Sequence, residues 1–414
     1  MGTVLSVHPS LYVTCLNNGA STLCQPSVDT PSSNMHAPDP VFSRVAMLCL
    51  GTEVYGVGTI QKLYAQHAPG MAFVCFEKGP LWDWLGEQGV RRFMVDGLGS
   101  FAATGSSLAT LARIPGVMAQ ARRTAAVLRK LLERERLSIV HTHWLPQQFV
   151  SGFVRSKSVR TVWQINNNTD RRRLLGAGVH LNHLLARWGA DVLLPASDYI
   201  GRNWQTGRVR CTTIRNAAVP RFASPNALAS PPVRCVIAGR LEEQKGHHVA
   251  VDAVLKARAA GHDVGLDIFG GPVKDNPYYD DLAKRACHAG AADAIRFLGF
   301  RTDLRERHQD YHLALQCRID PEPCSLWVCE TLVDGVPCIA SATGGTPELV
   351  EDGKTGMLYR AGDADDLAEK LIALCRDRAW LASMRVAAFK RGRKHFTVDR
   401  MMSQTRGEYE RLLA

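Results

Sequence analysis

The sequence predicts an α/β fold with two Rossmann-like domains, and three observations support that prediction. An apolar run at 44–50 leads into a glycine-containing loop at 51–58 and then a helical stretch, which is how a Rossmann-like unit begins. Short apolar runs then alternate with helical stretches, as in parallel sheets covered by helices. Residues 216–232 are rich in Pro, Ala, Ser and Asn, and the alternation restarts after this linker.

The predicted strands are short apolar runs bounded by turn-forming or charged residues. Near-continuous apolar runs of this length are typical of strands buried on both faces. In the first half they are 44–50, 72–76, 92–95, 138–141, 161–165 and 192–195. In the second half they are 233–238, 264–269, 295–298, 313–316 and 336–340. A short apolar helix is predicted at 326–333 and a final helical stretch at 384–413.

The domain boundaries follow from composition. Residues 1–40 contain no Lys or Arg and are rich in Ser, Thr, Asn and Pro, which predicts a loose N-terminal extension. The first domain is expected at 41–220 and the second at 221–390. Residues 391–414 are expected to form a C-terminal helix.

Composition indicates a protein of the reducing cytoplasm. Twelve cysteines are present, but several lie in apolar strands, where Cys behaves as a small buried hydrophobe: Cys49, Cys75, Cys235 and Cys338. The sequence has no CxxC pair and no Cys/His spacing of a zinc site. No apolar run approaches the ~18 residues that a membrane-spanning helix requires.

The net charge of +11 comes from the first half of the chain. Residues 41–222 contain 24 Lys and Arg against 10 Asp and Glu, whereas residues 223–414 contain 26 against 27. The surplus is concentrated at 171–173 and at 113–136, where apolar residues recur at helical spacing. Such a helix docks peripherally on an anionic membrane, or packs on the sheet with its basic face in solvent. Nucleic acid is not expected, because no aromatic-interleaved groove accompanies the basic residues.

The segment 317–360 contains the residues that indicate function. Glu322 and Glu330 stand with seven residues between them, at the start of the apolar helix 326–333. Carboxylates of this kind accept hydrogen bonds from neighbouring hydroxyl groups of a ligand. Ser325 is placed to cap the helix, whose free N–H groups suit a phosphate. The segment therefore predicts a site for a ligand with hydroxyl and phosphate groups.

Glycines and helix starts lie in the later part of this segment and just after it. Gly344 and Gly345 lack a Cβ, so the backbone there can approach a ligand closely. Thr346 is placed as the N-cap of another helix, with Pro347 at its first position. Asp363-Ala364-Asp365 is the only Asp-x-Asp string, and it starts a polar helix, where acids favour the helix dipole without any metal. No metal site is expected.

The order of these motifs resembles the nucleotide-sugar site of the family-4 retaining glycosyltransferases, which have the GT-B fold. The resemblance covers residues 233–375 well and the N-terminal half loosely. Its blocks are Gly239-Arg240-Leu241, Lys245-Gly246, Glu322-Pro323-Cys324-Ser325 with Glu330, residues 344–350 and residues 352–356. It implies two Rossmann-like domains that face each other across a cleft, with the C-terminal helix crossing back to the first.

The resemblance also implies the activity of a retaining glycosyltransferase, which moves a sugar from a nucleotide-diphosphate sugar to an acceptor hydroxyl. Arg240 and Lys245 would neutralise the diphosphate leaving group in place of a metal. Glu330 would hold the ribose hydroxyls, and Glu322 would lie against the donor sugar. The backbone N–H groups expected at the sugar or phosphate are those of Ser325 and Leu326.

The candidate donor contacts in the first domain match the family less well. Family members often carry a His after the strand that corresponds to 161–165. This chain has Asn166 there, which can bond a sugar hydroxyl but cannot act as an imidazole acid or base. His143 ends the preceding strand, where α/β sites lie, or is simply a polar residue at a strand end. Gly56 and Gly58 let the first loop approach the diphosphate, or form a plain tight turn.

The expected donor is a UDP-, GDP- or ADP-sugar, and the expected acceptor is a glycan or a lipid-linked molecule, without a cofactor. The expected setting is the assembly of surface polysaccharide, including lipopolysaccharide, or of glycolipid at the cytoplasmic face of the membrane. A phosphorylase or a nucleotide-sugar epimerase of the same fold stays open as an alternative. So does a catalytically silent sugar-binding or scaffold protein, although the presence of both glutamates with Arg240 and Lys245 counts against it.

Overall fold

Two parallel β-sheets, each covered by helices, organise the described part of the chain. The computed structural model describes residues 37–53, 56–95, 107–167, 177–227 and 232–414, with backbone alone at 107–114 and 177–178. Residues 1–36 of the expected extension and the arginine run 171–173 lie outside these ranges. Apolar clusters lie on both faces of each sheet, so the strands are buried on both sides as their sequences predict.

The first sheet has seven strands in the order β3–β2–β1–β4–β5–β6–β7. These are β1 (Val45–Cys49), β2 (Ala72–Cys75), β3 (Arg92–Met94), β4 (Ile139–Thr142), β5 (Arg160–Ile165), β6 (Val192–Pro195) and β7 (Arg210–Cys211). β1 pairs in parallel with both β2 and β4, and the strand order reverses between β1 and β4. Ligands of open α/β sheets bind outside the carboxyl ends of the strands at such a reversal.

The second sheet repeats this plan with six strands in the order β10–β9–β8–β11–β12–β13. These are β8 (Val233–Ala238), β9 (Val264–Phe269), β10 (Ile295–Gly299), β11 (Leu313–Gln316), β12 (Cys338–Ser341) and β13 (Gly356–Tyr359). The order reverses between β8 and β11, which pair in parallel. The carboxyl ends of β8 and β11 therefore mark the second candidate binding edge.

Helices connect the strands and cover both sheets. They are α1 (Val57–His67), α2 (Pro80–Glu87), α3 (Ser107–Arg134), α4 (Leu145–Val154), α5 (Ala177–Gly189), α6 (Asp198–Gly201), α7 (His247–Ala259), α8 (Pro277–His288), α9 (Leu326–Val333), α10 (Ala364–Arg376), α11 (Arg378–His395) and α12 (Val398–Leu413). Within the described ranges, none of them combines the length and apolarity needed to cross a bilayer.

The predicted α/β class with parallel sheets is confirmed. One strand begins later than predicted: β12 starts at Cys338, because the turn after α9 uses the two residues before Pro337. Gly335 adopts a φ of 79°, and its N–H donates to Leu332 O over 3.1 Å while the N–H of Val336 donates to Thr331 O over 2.8 Å. This pair of bonds is a Schellman turn, which ends a helix with a left-handed residue.

The final helical stretch is divided in two, and its second part lies on the first sheet. α11 ends at His395 and α12 begins at Val398. Met401 and Tyr409 of α12 share one buried apolar cluster with Val45 and Phe73 of the first sheet. The last helix of the chain therefore completes the core of its first half.

Candidate functional site

The carboxyl edge of the second sheet brings Glu322 and Lys245 together. Glu322 lies six residues beyond the end of β11, and Gln316 Nε2 donates to its Oε2 over 2.9 Å. Lys245 Nζ, from the loop after β8, lies 3.8 Å from Glu322 Oε1, and Arg318 Nη1 lies 3.9 Å from the same oxygen. Both side chains of the Lys245–Glu322 pair are mostly covered, with 26% of the lysine and 17% of the glutamate exposed.

Arg240 lies apart from this pair. Its Nη1 is 2.6 Å from Glu242 Oε1, and 62% of its side chain is exposed. Exposed ion pairs contribute little to stability, so the Arg240 side chain can exchange this partner for another anion at small free-energy cost. The sequence predicts that Arg240 and Lys245 both act on a diphosphate; in the structure Lys245 lies beside Glu322, and Arg240 pairs with Glu242.

Ser325 caps α9 as the sequence predicts. Its side chain accepts from the N–H of Val328 over 3.4 Å, and Leu326 follows as the first helical residue. The backbone φ of −68° and ψ of 113° at Ser325 are ordinary for any residue. A serine at this position, where the resembling family has glycine, therefore introduces no strain. The N-terminus of α9, where backbone N–H groups lack partners within the helix, lies in the same segment as Glu322.

Glu330 faces an arginine that the sequence did not reveal. Arg305 Nη1 lies 3.5 Å from Glu330 Oε1, and one-fifth of the Glu330 side chain is exposed. Burial raises the pKa of the Glu330 carboxyl above its ordinary value, although the positive charge of Arg305 opposes the shift. The same guanidinium donates to Val219 O of the linker over 2.8 Å. Glu330 is therefore connected to the linker through one side chain.

A buried carboxylate, Asp334, anchors this arginine. Arg305 Nη2 lies 2.9 Å from Asp334 Oδ2, and His308 Nδ1 lies at the same distance from that oxygen. Burial acts to raise the pKa of Asp334, but the bonds from His308 and Arg305 outweigh it and hold the pKa below its ordinary value. Asp334 is the C-cap residue of α9, and nothing in the neighbouring sequence indicates these partners, which lie more than twenty residues away.

Gly344 and Gly345 pack on the Glu322 segment rather than opening towards a ligand. A Cβ on Gly344 would lie 2.3 Å from Glu322 O, and one on Gly345 would lie 2.1 Å from Pro323 O. The N–H of Gly345 donates to Glu322 O over 2.8 Å. The diglycine therefore fixes the position of the glutamate by backbone contact.

Glu348 joins the second half of the chain to the first. Its carboxylate accepts from the N–H groups of Asp198 over 2.9 Å and Tyr199 over 2.6 Å. Arg215 Nη2 lies 2.9 Å from the same carboxylate. The short 3₁₀ helix Thr346–Glu348 has Gly345 as its N-cap residue, one position before the predicted Thr346. Its role is to present Glu348 across the boundary between the halves.

In the first half, His143 and Asn166 meet at the carboxyl edge of the sheet. They follow the neighbouring strands β4 and β5, and Asn166 Nδ2 lies 2.9 Å from His143 Nδ1. The rings of His141 and His143 are stacked, with centroids 5.0 Å apart and an angle of 9° between planes. Burial lowers the pKa of His141 to about 3 and lowers that of His143 well below its ordinary value. Both imidazoles are therefore neutral at neutral pH.

Gly56 and Gly58 shape the loop after β1. Gly56 precedes α1 with a φ of 58°, in open space. A Cβ on Gly58 would lie 2.9 Å from backbone atoms of Glu53. The Glu53 carboxylate in turn accepts from the N–H groups of Leu50 over 2.9 Å and Gly51 over 2.7 Å. These contacts give Gly58 a packing role in the turn. In the described part of the chain, no group of three His, Cys, Asp or Glu residues is arranged to hold a metal ion.

Residues 222–395 match the family described as glycosyl transferases group 1. This range contains the donor-side residues predicted from the sequence, namely Arg240, Lys245, Glu322, Ser325, Leu326 and Glu330. The matched range begins in the linker and ends at the last residue of α11, so it comprises the whole second sheet.

Curated relatives match less than half of the chain. A GDP-mannose-dependent alpha-(1-6)-phosphatidylinositol monomannoside mannosyltransferase of Mycolicibacterium smegmatis is 30% identical over 185 residues, which is 43% of this chain and 46% of that protein. A D-inositol 3-phosphate glycosyltransferase of Nocardiopsis dassonvillei is 32% identical over 140 residues, which is 33% of this chain and 31% of that protein. The chain thus spans less than half the length of the curated relatives it matches.

Solved structures match both halves. HepE of Anabaena in complex with UDP has a TM-score of 0.73 and 16% identity, covering 89% of this chain and 99% of HepE. Sucrose-phosphate synthase of Thermosynechococcus elongatus has a TM-score of 0.67 and 15% identity, covering 89% and 98%. At this identity the likeness shows the fold, which is GT-B. Within this chain of GT-B fold, residues 222–395 match the glycosyl transferases group 1 family.

Proposed function

We propose that this chain is a retaining glycosyltransferase that moves a sugar from a nucleotide-diphosphate sugar to an acceptor hydroxyl without a metal ion. The observation that supports it most is the juxtaposition of Lys245, Glu322 and the capped start of α9 at one edge of the second sheet. The group 1 match covers this edge. The mannosyltransferase relative depends on GDP-mannose, and HepE was crystallised with UDP, which supports a nucleotide-sugar donor.

The leaving nucleoside diphosphate gains negative charge as the glycosidic bond breaks, so positive charge beside it lowers the barrier. Lys245 supplies an ammonium group, and Arg240 can leave Glu242 for a phosphate oxygen. The N-terminus of α9, with the N–H groups of Ser325 and Leu326, adds the positive end of a helix dipole. These groups take the role that a divalent cation has in metal-dependent transferases.

Glu322 faces the sugar in this proposal and does not attack it. Its carboxylate, held by Gln316, stabilises the positive charge that develops at the anomeric carbon. The acceptor oxygen attacks from the face that the diphosphate leaves, and its proton passes to the departing phosphate oxygen. Because the new bond forms on the face where the old bond breaks, the anomeric configuration is retained.

Glu330 would accept hydrogen bonds from the ribose hydroxyls of the nucleotide. In this arrangement residues 221–390 bind the donor, and residues 41–220 bind the acceptor across the cleft. His143, Asn166 and the loop at Gly56 would face the donor from the first half.

Isothermal titration of UDP, GDP and ADP tests the donor site. We expect one nucleotide to bind, and Lys245→Met and Glu330→Ala each to weaken it by about 1–3 kcal/mol, the scale of a lost charged hydrogen bond. Glu351→Ala is the matched control, because this glutamate of the second half pairs with Lys354 and Arg391 instead. If the wild-type chain binds no nucleotide, the silent scaffold replaces this proposal. If it binds one and consumes inorganic phosphate, the chain is a phosphorylase.

Two further measurements test the finer parts of the proposal. The anomeric configuration of the product, read by NMR, decides between retention and inversion. Activity that persists in excess EDTA supports the metal-free mechanism. Activity that is lost in EDTA and restored by Mg²⁺ or Mn²⁺ contradicts it.

We also propose that the outer surface of α3, α4 and α5 docks on an anionic membrane at the cytoplasmic face. The three helices form one layer, since Arg129 of α3 donates to Phe153 O of α4 over 2.8 Å and the Phe153 ring packs on Trp188 of α5. The exposed basic residues of α3 in this layer are Arg122, Arg123, Arg129, Lys130 and Arg134. Val127 beside them and Leu181, Leu184 and Trp188 on α5 are exposed apolar residues. Basic and apolar groups on one face fit a bilayer with anionic headgroups.

Co-sedimentation with vesicles tests this surface. Vesicles that contain phosphatidylglycerol should bind the chain, whereas purely zwitterionic vesicles should bind it less. Leu184→Ser should weaken binding, because 62% of this side chain is exposed. Val386→Ser is the matched control, since Val386 is 46% exposed on the second half of the chain. If the two variants bind anionic vesicles equally well, the α3–α5 surface faces solvent and does not dock on the membrane.

A further inference from the structure

We propose that Asn166 is a positioning residue that fixes the proton of His143 on Nε2, so that His143 acts on a ligand as a hydrogen-bond donor and not as a base. The inference begins with the strand ends. β4 and β5 are paired neighbours, with Thr142 opposite Trp163, so the residues that follow them meet beyond the sheet edge. There Asn166 Nδ2 lies 2.9 Å from His143 Nδ1.

The chemistry of the two nitrogens determines the tautomer. An amide NH₂ has no acceptor lone pair, so the Asn166 nitrogen can only donate. His143 Nδ1 must therefore accept, which requires that it carries no proton. A neutral imidazole has a single N–H, and here it is left at Nε2. That Nε2 is buried and has no hydrogen-bond partner among the described residues.

Protonation of His143 is disfavoured by the same contact. An imidazolium carries N–H groups on both nitrogens, and its Nδ1–H would point at the NH₂ of Asn166. The neighbouring side chains of this cluster give no compensating negative charge: Tyr64, His141, Gln147, Gln164 and Tyr409 are neutral groups. His143 accordingly stays neutral, with its single N–H on the buried Nε2, which is unpartnered in the described part of the chain.

The ring is also held in place. His143 stacks on His141, whose Nδ1 is hydrogen-bonded to the Tyr409 hydroxyl of α12. The backbone N–H of His143 donates to Gln147 Oε1 over 3.1 Å. With its plane and its tautomer both set, His143 presents one donor in one direction.

This assignment changes the role expected of Asn166 and bears on the reaction. Asn166 acts through His143 instead of contacting the sugar itself. An Nε2–H donor suits a hydroxyl or ring oxygen of the donor sugar, which is the class of ligand that the proposed function supplies. Because this nitrogen cannot take the proton of the acceptor hydroxyl, that proton goes to the departing phosphate. This last consequence rests on the proposed function, whereas the tautomer does not.

Nitrogen-15 NMR of histidine-labelled full-length protein tests the tautomer directly. The His143 signals, identified by their loss in His143→Gln, should show an Nε2–H and an unprotonated Nδ1 near neutral pH. In Asn166→Asp the new carboxylate accepts from Nδ1–H, so the proton should move to Nδ1 and His143 should titrate at higher pH. Asn167→Asp is the matched control, because it adds the same charge on the adjacent exposed residue and should leave the pattern unchanged.

A second readout separates this inference from the proposed function. We expect Asn166→Asp to weaken binding of a nucleotide sugar by about tenfold, equivalent to about 1.4 kcal/mol, and to leave binding of the bare nucleotide unchanged. An Nδ1–H signal in the wild-type protein overturns the tautomer assignment, whatever the chain binds. If the wild-type tautomer is as proposed but Asn166→Asp weakens the binding of nucleotide and of nucleotide sugar equally, only the contact of His143 with the sugar is overturned. Other histidine signals in each spectrum show whether a variant is folded.

Discussion

At the scale of single residues, Gly344 illustrates how backbone contact fixes the position of the Glu322 segment. Its φ of 61° lies in the left-handed region, and its Cα lies against Glu322. The atoms that a Cβ would meet belong to the backbone, so no side-chain rotation can make room for it. The position of Glu322 therefore depends on the absence of one methyl group.

Gly344→Ala is expected to displace Glu322 and to reduce both stability and nucleotide-sugar affinity. Gly353→Ala is its matched control, because Gly353 has a similar φ of 73° with nothing within 4 Å of the added Cβ. The control should cost about 1–2 kcal/mol from the left-handed backbone alone. Urea unfolding should show a clearly larger loss for Gly344→Ala, and titration should show a loss of affinity only there. Equal losses in both variants would mean that the Glu322 contact is unimportant.

Ser325 provides a second test at this scale, which concerns the capping hydrogen bond of its side chain and not its backbone conformation. We expect Ser325→Ala to lower the free energy of unfolding by about 1 kcal/mol, because the acceptor for the Val328 N–H is lost. Ser325→Gly should lower it by only a few tenths, roughly 0.3 kcal/mol. Denaturant unfolding of the two variants gives the comparison. A larger loss with glycine than with alanine would contradict the role of the serine hydroxyl.

At the scale of elements, Glu348 is the contact that joins the two sheets near the candidate site. Glu348→Ala would leave the N–H groups of Asp198 and Tyr199 and the guanidinium of Arg215 without this acceptor. We expect a loss of about 1–3 kcal/mol, measured by urea unfolding. Glu348→Gln keeps a neutral acceptor and should recover part of the loss. If both variants unfold like wild type, the carboxylate does not hold the two halves together.

Several elements could be predicted from the sequence because their signals are local. The bounds of α9 follow from Ser325 at its start and Asp334-Gly335 at its end, and those of β8, β9 and β11 follow from mainly apolar runs, although β8 contains Arg234 and β9 contains Asp267. β7 and β13 were not predicted. β7 has two residues and β13 begins at a glycine, so neither gives a clear apolar run.

The partners of the site residues could not be predicted, because they come from distant segments. Arg305 reaches Glu330 and the linker, and Tyr409 reaches His141 across 268 positions of the chain. Nothing in a window of neighbouring residues indicates such a pair. The resemblance to a family supplied the glutamates and Lys245, whereas the contact of Asn166 with His143 required the fold.

At the scale of the whole molecule, buried histidines should make stability depend on pH. Burial lowers the pKa of His141 to about 3, that of His247 to about 4 and that of His143 well below its ordinary value. In the unfolded chain these histidines have pKa values near the ordinary histidine value of about 6.5. The unfolded chain therefore holds more protons than the folded chain below that pH, and the free energy of unfolding falls as the pH falls.

We expect each of these histidines to contribute a slope of up to about 1.4 kcal/mol per pH unit below about pH 6.5. Glu330 opposes them, because its raised pKa favours the folded chain as the pH falls. Urea unfolding at about pH 7.5 and about pH 5 measures the sum. His247→Gln should reduce the dependence by one proton, because the lowered pKa of this histidine is removed. An unchanged slope in this variant would contradict the burial of His247 as the cause.

The position of α12 has a consequence for the order in which a newly made chain folds. Met401 and Tyr409 fill the core of the first half, yet they follow the whole second sheet in the sequence. The core of the first sheet therefore stays incomplete until α12 has been made, whereas the second sheet has all of its strands by residue 359. Domains usually mature from the N-terminus onwards during translation. In this protein the second sheet can mature first, and the first sheet, although it is made earlier, waits for α12.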